Sequence, residues 1–171
     1  WGGEELGLLG SQAYIESNSE YIETLDLYIN LDSTNLNPSK GLGTLGIETS
    51  NAGLIDSISN IQSTVLSSEE WAEYDATVQF NQQGNSDHRA FNQLGTNTIG
   101  FYGWEYDEYH RQTDVLGVVH QEGLPLTVEI ILQIIIVQGG HESIDEPLLQ
   151  ISGLEGESES WVFPFILALL A

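Results

Sequence analysis

Cysteine is absent from the chain. Disulfides, thiolate metal ligands and a cysteine nucleophile are therefore excluded, and the redox compartment stays open. Methionine is missing too, and the first residue is Trp1 rather than an initiator. The expectation is that something upstream has been removed or was never included, so the lack of a visible signal peptide says little. Basic residues are scarce: 3 Lys and Arg stand against 26 Asp and Glu, a formal charge of -23. Phosphate backbones and anionic membrane surfaces repel such a polyanion, which argues against nucleic acid as a partner. The acidic excess reads first as a solvated surface that keeps the protein soluble, in saline surroundings where screening softens self-repulsion. A subset of the carboxylates is also available to hold divalent cations.

What is present suffices for one packed domain: 171 residues, of which 40% are hydrophobic and 9% aromatic. The opening Trp1-Gly-Gly-Glu-Glu reads as a turn into a helix, with Glu4 and Glu5 where the helix dipole favours negative charge. Leu6, Leu9, Ala13 and Tyr14 follow at helical spacing. From Leu25 to Asp32 apolar and polar residues alternate, predicting a strand with one apolar face and Asp32 at its C-terminal end. Residues 33 to 46 read as a loop rich in Ser, Asn, Pro and Gly. A helix is predicted from Ala52 to Leu66, with strands at Ala76–Phe80 and Thr98–Tyr102. Between those strands, Ser86-Asp87 would cap a short helix that stops at Gly95. Leu126 to Val137 is apolar throughout; Pro125 before it and Gly139-Gly140 after it favour helix over strand. Residues 141 to 160 look like an acidic linker, and 161 to 171 form an apolar segment of eleven residues. Spanning a bilayer takes about 20 residues. That segment therefore reads as a core element, or as half of a membrane anchor or a self-associating surface. No internal repeat is visible, and Gly41 to Gly46 lacks the lysine of a phosphate loop.

Three segments carry the chemistry: Glu4-Glu5, Asn30-Leu31-Asp32, and Tyr109-His110 with Asp114, the last preceded by Ser86-Asp87-His88. Glu, Asp and His form an oxygen-and-nitrogen donor set suited to zinc. Of two adjacent glutamates, one can bind metal while the other takes a proton from the attacking water. A tyrosine beside a ligand histidine can donate to a developing oxyanion. Each piece also has an ordinary reading: solvated charges for Glu4-Glu5, a turn former for Asp32, packing for Tyr109. His120 and His141 have no such context and read as structural or solvated.

Together, "WGGEELGLLGSQAYIE", "INLD", "SDHRAFNQLGTNTIGFY" and "YHRQTD" resemble, in order and with similar spacing, the zinc aminopeptidase family. That family includes leucyl-type aminopeptidases, glutamate carboxypeptidases and glutaminyl cyclases. The resemblance covers roughly residues 1 to 137. It implies a three-layer α/β/α sandwich around a mixed sheet, incomplete at its N-terminal side. It implies Glu4 as general base, Glu5 and His110 as ligands of one zinc, Asp32 as a ligand of the other, and Tyr109 as stabiliser of the oxyanion. Asp87, His88 and Asp114 would orient those ligands or line the cleft.

Residues 1–140 would then be the C-terminal part of a metallopeptidase catalytic domain and 141–171 an extension. A further histidine and a bridging aspartate are expected upstream, so the chain alone is expected not to hydrolyse peptides. The expected partners are a peptide substrate, and the upstream segment or another chain against an open sheet edge. Self-association or membrane contact through 161–171 is a further expectation, and the setting is extracellular. Two rival readings are a self-assembling fragment and a catalytically silent binding domain.

Overall fold

The computed structural model describes residues 1–103, 106–139 and 167–168. Its centre is a mixed sheet of five strands in the order β3-β2-β4-β1-β5. The strands are β1 (Tyr28–Asp32), β2 (Thr44–Thr49), β3 (Asp75–Phe80), β4 (Thr98–Tyr102) and the two-residue β5 (Leu167–Ala168). β1 runs parallel to β4 and β5, and β2 runs parallel to β3 but antiparallel to β4. The sheet is open, with helices on both faces, as a three-layer α/β/α fold requires. The linker and apolar segment expected over 141–171, and His141, lie outside the described residues except for Leu167 and Ala168.

One face is conventional. Ile29, Leu45, Ile47, Ile99 and Phe101 point into a core closed by two helices, α3 (Ile55–Leu66) and α5 (Leu124–Gln138). Ile58 and Val65 of α3, and Leu126, Ile130, Ile131 and Ile134 of α5, complete it. The α5 segment has Pro125 in its first turn and Gly139 at its C-cap, so the helical reading of its apolar run holds. Length decides the matter: 15 residues of apolar sequence make a helix of about four turns, long enough to cross the sheet.

The other face carries α1 (Leu9–Ser17), the single turn α2 (Ser19–Ile22) and α4 (His88–Asn92). Here Tyr28 stacks on Phe91 with ring centroids 3.7 Å apart, inside a smaller cluster with Ile15, Ile22, Leu25 and Ala90. The expectation that β1 has one apolar face is therefore too simple. Its polar-looking side, Tyr28 and Asn30, is buried as well. Leu6 and Leu9 are exposed, and α1 instead buries Ser11 and Ile15, one turn apart. Asp87 stands at the N-cap of α4, but its side chain makes no capping bond there.

The principal correction is β2, whose first three residues, 44 to 46, lie in the stretch expected to be loop and which runs on to Thr49. Gly43 and Gly46 obscured its alternation, yet Leu45, Ile47 and Thr49 face one side and Gly46 and Glu48 the other. Gly46 is needed because the Tyr102 ring lies over it: a Cβ there would sit 2.3 Å from ring carbons.

Candidate active site

The C-terminal ends of parallel β1 and β4 lie side by side, with Asp32 opposite Tyr102 in register. Such an edge is where open α/β sheets gather their sites. Both strands leave it through a constrained turn: Ser33 holds φ 55, and its carbonyl accepts the Gly103 N–H at 2.8 Å. Among described non-glycine residues, positive φ occurs at Leu8, Ser33 and His110. Ser33 and His110 each adjoin an expected site residue, and backbone strain of this kind clusters at functional sites.

Glu4 and Glu5 occupy one turn of 3-10 helix, Glu4–Leu6, between Gly3 and Gly7 in left-handed conformations. Trp1 anchors this turn. Its ring packs 4.5 Å from Tyr14, and its indole N–H donates to the Tyr28 hydroxyl at 2.9 Å. The Glu5 carboxylate meets His110 Nε2 at 2.6 Å. Both side chains are more than half exposed, 67% and 53%, so neither is committed to the core. The His110 ring also stacks on Tyr109 at 3.8 Å. Burial raises the proton affinity of Glu4, and the charges of Asp32, Glu5 and Asp87 raise it further.

Asp32 and Tyr109 line a cavity of about 170 Å³. Its floor comes from a register row across three strands, Asn30 on β1, Gly100 on β4 and Glu48 on β2. The His88 ring lies over Gly100, where a Cβ would come within 2.7 Å of it. Glu48 Oε1 contacts His88 Nε2 at 2.7 Å and accepts the Asn85 backbone N–H at 3.1 Å. Its Oε2 accepts from the side-chain amides of Asn81 at 2.8 Å and Asn85 at 3.0 Å. Burial alone would raise the Glu48 pKa, but these partners outweigh it and hold the carboxyl below its ordinary range.

Of the expected residues, Glu5 is thus beside His110, Asp32 and Tyr109 share the cavity wall, and His88 lies beneath it. Asp87 is buried near Glu4; its Oδ2 accepts from the Trp1 backbone nitrogen at 2.9 Å, and its Oδ1 has no hydrogen-bond partner among the described residues. Asp114 accepts the Tyr106 hydroxyl at 2.9 Å. Among the described residues, no three His, Asp or Glu side chains form a ready metal-binding group. The Glu5–His110 pair nonetheless fits two ligands of one zinc: an oxygen and a nitrogen donor, adjacent and solvent-facing. Sequence reasoning missed Glu48 and Tyr102 as site residues, and placed Ser86 as a helix cap beside Asp87-His88 rather than in the cavity lining. The signal for Glu48 was the alternation Leu45-Gly46-Ile47-Glu48-Thr49, hidden behind glycines.

Comparison with known proteins agrees with this picture. The model of Peptidase family M28 matches residues 1–135. No curated protein matches the chain. Among solved structures, an aminopeptidase from Aneurinibacillus sp. strain AM-1 is similar at a TM-score of 0.57 and 25% identity, covering 86% of this chain and 34% of that one. The LapA aminopeptidase of Legionella pneumophila shares the fold at a TM-score of 0.53 and 15% identity, covering 74% of this chain and 34% of that one. The chain thus spans about a third of the length of these solved aminopeptidases. With the match running through all the motif segments from Glu4-Glu5 to Asp114, the chain belongs to peptidase family M28, a family of zinc metallopeptidases.

Proposed function

We propose that this chain carries the proton-transfer group and three ligands of a two-zinc exopeptidase site that removes residues from the free N-terminus of peptides. The observation that carries the reading is the Glu4-Glu5 turn: Glu5 contacts His110 at 2.6 Å, while Glu4 stands beside it with raised proton affinity. Glu5 and His110 would hold one zinc and Asp32 the other; when bound, zinc polarises a scissile carbonyl and acidifies water. Glu4 accepts the proton of the attacking water and returns it to the leaving amine, for which a carboxyl pKa above the ordinary range is an advantage. The Tyr109 phenol donates to the oxyanion as the carbonyl carbon becomes tetrahedral. The carboxylates around the turn attract the substrate's α-ammonium group, which favours the N-terminal residue. An extracellular setting belongs to the same reading and draws support from the formal charge of -23.

Three of the five protein ligands implied for such a site are Glu5, Asp32 and His110. The reading therefore includes the absence of peptide hydrolysis by this chain alone. The test is an assay of the full chain with added zinc on aminoacyl anilides and dipeptides. Background rates are expected, whereas robust turnover would refute the incompleteness of the ligand set.

A further inference from the structure

Residues 106–119, which carry Tyr109 and His110, run along the surface; Val115 and Leu116 are 57% and 82% exposed. Hydrogen bonds inside this segment are local: the Tyr109 N–H to the Tyr106 carbonyl, Arg111 to Glu108, Asp114 to Arg111, and the Tyr106 hydroxyl to Asp114. Such bonds shape the segment but do not fix its place against Asp32. The Glu5–His110 contact joins two exposed side chains and is a weak tether. Firmer ties come from the short stretch that follows β1. At one end the Gly103 N–H donates to the Ser33 carbonyl at 2.8 Å, and a Cβ on Gly103 would lie 2.6 Å from that oxygen. At the other end stands the Asn35 side-chain amide. Its Nδ2 donates to the Val118 carbonyl at 3.1 Å, and its Oδ1 accepts the His120 backbone N–H at 2.7 Å. These partners lie 83 and 85 residues further along the chain. Just beyond them Gly123 meets buried Leu36, where a Cβ would come within 2.6 Å of the Leu36 carbonyl oxygen.

We propose that Asn35 is a positioning residue: its amide clamps residues 118 and 120 to the stretch after Asp32 and thereby sets where His110 stands relative to Asp32. Naming His110 and Asp32 as zinc ligands rests on the metallopeptidase reading; the clamp rests on the two hydrogen bonds themselves. A side-chain amide offers a donor and an acceptor side by side, as a peptide group does, so one residue holds two points of the segment. Aspartate has the same shape but loses the donor and sets a charge against the Val118 carbonyl. An aliphatic side chain loses both bonds. Apparent affinity scales with the fraction of molecules in the competent arrangement, so loosening the segment weakens zinc binding without removing a ligand.

The experiment pairs limited trypsin digestion of the full 171-residue chain with calorimetric zinc titration. Trypsin cuts after Lys and Arg, and the chain has three such residues, Lys40, Arg89 and Arg111. Arg111 is exposed within the segment, whereas Arg89 lies in α4 and its cleavage reports general unfolding. In Asn35→Ala, cleavage after Arg111 should accelerate about tenfold relative to Arg89, and zinc affinity should fall about tenfold. Asn37→Ala is the control: the Asn37 side chain accepts the Ser39 hydroxyl at 2.7 Å, a local bond, so both readouts should match the parent. Asn35→Asp keeps the acceptor and should fall between parent and Asn35→Ala; it carries the test if Asn35→Ala also opens Arg89. Unchanged Arg111 cleavage in both Asn35 variants would overturn the clamp. Faster cleavage with unchanged zinc affinity would overturn the positioning role. A parent chain that binds no zinc would reject the metallopeptidase reading, while faster Arg111 cleavage in Asn35→Ala would still uphold the clamp.

Discussion

A carboxylate buried on a sheet face has to be neutralised where it stands, and Glu48 is held by one imidazole and two asparagines. Because its folded pKa lies below the ordinary 4.5, its contribution to stability is fully present above that value and is lost as pH falls through the folded pKa. Glu48→Gln should cost roughly 3 kcal/mol at neutral pH, since it removes the buried carboxylate that Asn81, Asn85 and His88 contact and sets an amide donor against their N–H groups. Denaturant titrations should show the gap between parent and variant closing below pH 4.5. Tyr28 makes the opposite case. Burial pushes its phenol up to about 12, against the hydrogen bond from Trp1 and with help from the Asp87 charge. Its stabilising effect holds below its ordinary pKa of 10.0 and is lost as pH rises from there toward 12. Phenolate absorbance should show Tyr28 titrating late together with Tyr106, which burial also pushes up to about 12, and Tyr28→Phe should reduce that late step and remove its share of the alkaline loss of stability.

At the level of elements, two glycines make the site face possible, Gly46 beneath Tyr102 and Gly100 beneath His88. Gly46→Ala should destabilise the protein by about 1 to 3 kcal/mol, because ring and Cβ cannot share the space; thermal melts check this. Those glycines also mark what was legible. Period-two alternation exposed β1 and β4, and the 3.6-residue period exposed α3. Local end signals settled α5, whose apolar run has no period to read. β2 escaped because Gly43 and Gly46 look like loop residues until the Tyr102 ring is in place, a contact between residues far apart in sequence. Asp87 was read as a helix cap for a similar reason: only the fold brings Trp1 close enough to occupy its carboxylate. The expected ligands were visible as motifs, whereas the Asn30–Gly100–Glu48 row requires strand register, which the sequence does not state.

For the molecule as a whole, the two faces of the sheet divide the labour. Apolar packing under α3 and α5 supplies one core, and the opposite face spends its burial on a polar row and on an edge where Glu5 meets His110 and Asp32 and Tyr109 line the cavity. A formal charge of -23 acts against compactness everywhere. Added monovalent salt should therefore raise the melting temperature between low and physiological ionic strength, as the Debye length shrinks from about 30 Å toward 8 Å. A melting temperature that falls or stays flat would show that the acidic groups are locally compensated. The most direct measurement of the central claim is calorimetric zinc titration of the full chain beside His110→Ala and Glu5→Ala. The account predicts zinc binding to the parent that weakens at least about tenfold in each variant. Equal zinc affinity in all three proteins would contradict it.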